Sequence, residues 1–235
     1  MTSGAGSVAG PSLQDDLREI GALQGRLPGP AVILIGAAAA AVVFFPAVWG
    51  MSKYLYTIAH EGGHALMGSA MGHKINSVTM ERNGNGLTKA TGPPGLGTFF
   101  YQFFGFLAPS VIGLGAAKLI EVGHIVAVLW LLLLALAALL VIARGWVAWT
   151  CIVCTGLLLF LTARYASFGA QIVVAYGLTW FLLISAVAAV LRTWRVPGGD
   201  SDLLRSSTRL PSGLWPPLWL MGTVLALVAG ASLLV

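Results

Sequence analysis

His60-Glu61-Gly62-Gly63-His64 sets two imidazoles and a carboxylate at a spacing suited to hydrolytic metal chemistry. On a helix, residues i and i+4 share a face, so His60 and His64 can reach one metal ion. Glu61, next to the first histidine, leans toward the open coordination position. There it would take a proton from water and make the water a nucleophile. The surroundings sharpen this reading, because the stretch lies in an otherwise apolar part of the chain. A carboxylate near the middle of a membrane costs about 2.5–3.5 kcal/mol on insertion scales. A metal or a water-filled cavity would offset that cost. Histidines that merely pack a helix would not.

A catalytic zinc site usually has three protein ligands and a water, so a third ligand is expected. The remaining acids are Asp15, Asp16, Glu19, Glu81, Glu121, Asp200 and Asp202, and the remaining histidines are His73 and His124. The first three acids sit in a polar tail. His73 follows His64 by nine residues, more than two helical turns. Glu121 and His124 bracket a turn between two apolar segments. Asp200 and Asp202, in "PGGDSDLL", precede the last apolar segment, and spacing alone does not choose between them.

The elements that must position these groups are membrane elements. Of 235 residues, 57% are hydrophobic and only 9% charged, with a mean hydropathy of +0.87. A soluble chain carries roughly 25% charged residues. So few charges suit a chain whose solvent is mostly lipid, an all-α polytopic membrane protein with the bilayer as its main partner. The net charge of +5 is modest and its basic residues do not cluster with aromatics, which excludes nucleic-acid binding. Cys151 and Cys154 lie in an apolar run and provide neither a disulfide framework nor a zinc site.

Apolar segments fall near 31–50, 54–72, 97–119, 123–143, 145–162, 167–191 and 214–235, predicting about seven transmembrane helices, or six as the alternative. Residues 1–30 form a polar tail. Ser12 is a candidate N-cap there, and Leu13, Leu17, Ile20, Leu23 and Leu27 mark a short amphipathic helix. Residues 31–235 form a single transmembrane domain, with a hairpin loop at about 73–96 and a third-ligand loop at about 192–213. "SVTME" alternates and "NGNG" supplies a turn, so a small β-hairpin follows the motif helix. Trp215 and Trp219, flanking Pro216 and Pro217, suit an interfacial belt. With seven spans and a cytoplasmic N-terminus, ten Lys and Arg fall on the cytoplasmic side and three outside, which favours N-terminus in and C-terminus out.

"HEGGHALMG", "VTMERNGNG" and "GGDSDLLRSSTRLPSGLW" together resemble the site-2 protease family of intramembrane zinc metalloproteases, and most closely a compact bacterial peptidase-like branch without a PDZ domain. The resemblance runs loosely from about residue 44 to 222. It implies a multi-pass enzyme of the cell membrane that hydrolyses peptide bonds in or near transmembrane segments of membrane-protein substrates. It also implies Zn2+ held by His60 and His64, with Glu61 as the base. An aspartate from a distant segment completes the site: Asp202, ahead of Asp200. The hairpin at 75–91 is similar to one that presents substrate as an added strand in the family. This chain departs from the better-known pattern, in which the aspartate lies in Leu-Asp-Gly at a membrane helix. Here both aspartates sit in a Gly-rich stretch. That departure favours the alternative, a non-proteolytic zinc-binding scaffold. Oligomeric state is not legible.

Overall fold

Proline decides where the first apolar run breaks. The computed structural model describes residues 14, 18, 20–194 and 198–235. In it α1 (Gly29–Phe44) ends one residue before α2 (Pro46–Ala70), and the two helices meet at a 100° bend. Pro46 has no N–H to continue the ladder and pushes Phe45 into extended backbone, φ −80° and ψ 113°. The break strands α1's last carbonyls. One of them, Val43 O, accepts a 2.6 Å hydrogen bond from Arg192 Nη2, whose guanidinium also lies 4.1 Å over the Trp49 ring.

The motif helix thus begins at Pro46, not near residue 54, and Lys53 lies inside it. After α2 come β1 (Lys74–Met80) and β2 (Gly86–Thr91), which pair antiparallel as the expected hairpin. Then follow α3 (Leu96–Glu121), α4 (Ile125–Ile142), α5 (Trp146–Tyr165), α6 (Phe168–Thr193), the short α7 (Asp200–Thr208), a 3-10 turn (Ser212–Leu214) and α8 (Trp215–Leu234). Among the described residues, five helices are long and apolar enough to cross a membrane, or six spans if the bent pair counts as one. The count is thus roughly that expected, with the bent α1–α2 pair as the place where it differs.

Arg26 meets the end of α8. Arg26 Nη2 donates to Leu233 O at 2.6 Å and Leu234 O at 3.1 Å, and Gln24 N donates to Gly123 O. The hairpin lies at the other end with residues 143–144: Arg144 N donates to Val78 O at 2.8 Å, extending the sheet at β1's outer edge. Of the amphipathic segment, Ser12, Leu13, Asp15 and Leu17 lie outside the described residues.

The core centres on α6, where Tyr176 and Leu183 are fully buried. Gly113 of α3 and Gly230 of α8 make room for Leu183; a Cβ at either would stand 2.9 or 2.5 Å from that side chain. Close approach of helices at small residues is how membrane bundles pack. Trp215 and Trp219 pack into the bundle. Both are buried, and Trp219 stacks on Phe106 at 4.4 Å while its Nε1 donates to Phe103 O.

Candidate metal centre

α2 presents His60, Glu61 and His64 toward the hairpin, α3 and α7. His64 Nε2 lies 3.2 Å from His60 Nε2, and Asp200 Oδ2 lies 3.1 Å from His60 Nε2 and 3.2 Å from His64 Nε2. The three atoms make a nearly equilateral triangle. A tetrahedral zinc with bonds of roughly 2.0–2.1 Å separates its ligand atoms by roughly 3.3 Å. The side chains present therefore fit such an ion.

Hydrogen bonding adds a second argument. His64 Nδ1 lies 2.6 Å from the Tyr101 carbonyl oxygen, which can only accept, so Nδ1 carries the proton. Nε2 is thereby the ring nitrogen turned toward the Asp200 carboxylate oxygen and left to ligate. An N–H to a backbone carbonyl is also how ligating histidines are held in one tautomer. Tyr56 Oη approaches His60 Nδ1 at 3.3 Å from one turn earlier in the helix. Burial opposes ionisation of Asp200, but the adjacent His64 and His60 imidazoles outweigh it and hold the carboxyl well below its ordinary range.

Close packing fixes the histidines. Gly105 of α3 lies against the His64 ring, where a Cβ would collide with Nε2. Phe106 meets the His60 ring edge-on at 4.8 Å. Gly63 faces Ala108 so closely that a Cβ would overlap it, which lets α2 and α3 cross in contact.

Asp202 is placed elsewhere. Its Oδ2 accepts from Gly198 N at 2.6 Å, closing the turn that leads into α7. The structure brings Asp200, rather than the sequence-favoured Asp202, to the histidine pair. The physical reason is helical: two residues apart on a helix is about 200°, so the two carboxylates face opposite ways. Among the described residues, His60, His64 and Asp200 are the group of metal-ligating side chains that converges. Glu121 pairs with Lys118, and buried His73 bonds Thr98 Oγ1 through Nε2 at 3.2 Å.

The hairpin completes the site. Glu61 is 4% exposed, and Thr88 Oγ1 donates to its Oε2 at 2.6 Å. Sequence reading missed Thr88, since a threonine in a strand carries no signal of its own. A cavity of about 380 Å³ opens over the histidines, lined also by Gly86, Leu87, Gln102, Asp200 and Trp219. A larger one, about 520 Å³, lies on the opposite face of α2 among Leu55, Ile58, Leu66, Leu139 and Phe181. Its lining is almost wholly apolar, so the chemistry belongs to the smaller.

Membrane-spanning helices wrapped around a histidine pair and a distant aspartate define a membrane protein of metallopeptidase type. The family model described as Peptidase M50B-like matches residues 33–230, and the chain belongs to that family, the site-2 protease family. Comparison with curated proteins and with solved structures gives no match.

Proposed function

We propose that the protein is an intramembrane zinc metalloendopeptidase that hydrolyses peptide bonds in or near the transmembrane segments of membrane proteins. The observation that carries this reading is the triangle of His60 Nε2, His64 Nε2 and Asp200 Oδ2, with Glu61 beside it and a cavity above. His60, His64 and Asp200 would hold the ion. Zinc bound there supplies the Lewis acidity that activates water near neutral pH and polarises a carbonyl.

The chain's own residues do the rest. Glu61 accepts the proton of the attacking water and passes it to the leaving amine nitrogen. Because residues 143–144 already extend the sheet at β1's outer edge, β2 is the strand whose Gly86 and Leu87 line the cavity. A substrate segment unwound from its helix would lie along β2 as an added strand, held by main-chain hydrogen bonds. The basic residues favour a cytoplasmic site end: Lys74, Arg82, Lys89, Arg144, Arg192 and Arg205 gather there, against Arg26, Lys118 and Arg164. The compact branch implies a bacterial cell membrane.

Purified wild type and Glu61→Gln, compared for zinc content and for cleavage of a membrane-spanning reporter, test the reading. Equal zinc with cleavage lost in the variant is the expected result. Undiminished cleavage by Glu61→Gln would overturn the mechanism. Zinc without hydrolysis in wild type would point to a scaffold.

A further inference from the structure

We infer that Thr88 is the positioning residue for the general base: its hydroxyl holds one carboxylate oxygen of Glu61 and thereby leaves the other to face water and substrate. The inference rests on the proteolytic reading above.

Four observations converge on it. First, Thr88 is 5% exposed, and its Oγ1 lies 2.6 Å from Glu61 Oε2, against 3.1 Å from the Glu61 carbonyl oxygen. A hydroxyl has one proton to give, and the shorter contact to a charged acceptor is the stronger. Second, the strand carrying Thr88 is held from both sides. Val78 is its register partner in β1, and the Tyr101 hydroxyl donates to the Thr88 carbonyl oxygen. Third, the turn is tied to the same helix as Glu61. Thr57 Oγ1 donates to Gly84 O at 2.8 Å, and Tyr54 Oη donates to Arg82 O at 2.5 Å. Thr57 and Gly84 stand 27 residues apart, as do Glu61 and Thr88, so one helical turn of α2 is matched by four residues of hairpin. Fourth, Gly86 gives the carboxylate its space. A Cβ there would stand 2.5 Å from Glu61 Oε1.

Together these make β2 a backing plate for the base. Glu61 has three rotatable bonds, and nothing in α2 alone would choose its rotamer. Thr88 and Gly86 choose it from the other side: one grips Oε2, and the other leaves room for Oε1. Catalytic groups lose about 10²-fold in rate when misplaced by about 1 Å, so a single hydroxyl at this point has a large lever. Tyr101 serves both halves of the site, since its carbonyl faces His64 and its hydroxyl holds Thr88. Base and metal ligand are therefore referenced to one residue of α3.

The test compares wild type, Thr88→Val, Thr88→Ser and Glu61→Gln in full-length protein. Reporter cleavage gives kcat and KM, and zinc content is measured alongside. The infrared carboxylate stretch of Glu61, identified by its loss in Glu61→Gln, is read in the metal-free protein. Thr88→Val keeps the shape and removes the donor. It is expected to retain wild-type zinc, hold KM within a few-fold and lose about 10²-fold in kcat. The Glu61 band shifts in Thr88→Val, and Thr88→Ser restores both band and rate. An unmoved band, wild-type kcat in Thr88→Val, or zinc loss that serine does not rescue would overturn the inference. The band reports on Thr88 and Glu61 even if wild type proves unable to cleave, so failure of the proteolytic reading is seen separately.

Discussion

Asp200 and Asp202 stand two residues apart in the first turn of α7, yet only Asp200 reaches the histidines; Asp202 turns back to Gly198. This divides two chemically identical side chains into a histidine-facing one and a turn-closing one. Asp200→Asn is expected to weaken zinc binding by more than the roughly 10–100-fold typical of losing an outer-shell partner. Asp202→Asn should keep zinc, at a cost to α7's first turn of about 1 kcal/mol. Zinc stoichiometry after dialysis against a competing chelator separates them, and equal loss in both would reject the assignment.

Gly105 and Gly62 provide an opposite pair. A methyl at Gly105 would collide with the His64 ring, whereas one at Gly62 would meet only Leu139 Cδ2, at 3.9 Å. Gly105→Ala should therefore lose metal while the bundle still folds. Gly62→Ala should keep metal and gain up to about 1 kcal/mol of helix propensity. Metal content and melting temperature in detergent check both.

Arg192 is expected to matter for stability without touching the chemistry. Arg192→Leu leaves the Val43 carbonyl, stranded by the break before Pro46, without its 2.6 Å partner. An unsatisfied buried acceptor costs about 1–3 kcal/mol. The melting temperature should fall, while the zinc content of the folded fraction stays at the wild-type level. A wild-type melting temperature would show that the carbonyl finds another donor.

Chelation of the metal should loosen α7 before any other helix. Of its side chains, Leu204 is the one fully inside, helped by Ser207 Oγ donating to Gln102 Oε1 at 2.6 Å. A ligand that binds only the native arrangement stabilises the element it ties down. Amide hydrogen exchange over residues 198–208 should accelerate on chelation, while α6 stays protected. Uniform acceleration would mean that α7 draws no special support from the metal.

How legible this was in the sequence follows the range of the forces involved. The motif helix and its histidine pair were readable because their geometry is local, fixed by 3.6 residues per turn. The hairpin was readable because Asn83-Gly84-Asn85-Gly86 restricts its own backbone. The aspartate that joins the histidines was not. Asp200 and Asp202 differ only in which side of a nine-residue helix they occupy, and that is set by how Leu204 docks against distant helices. Sequence reading placed this helix in a Gly-rich loop. Thr88 was invisible for a similar reason, since its partner lies 27 residues away across a tertiary contact. The sharp bend at Phe45-Pro46 was not readable, because hydropathy along an apolar run does not register a change of direction.

That break has a consequence for length. A straight helix from Gly29 to Ala70 would run roughly 60 Å, about twice the ~30 Å hydrocarbon layer. Turning 100° after Phe44 spends the surplus sideways. α2 crosses the bundle instead of overshooting it, and its second half arrives where α3, the hairpin and α7 already face one another. One proline thus converts excess reach along a single axis into the lateral meeting of four segments.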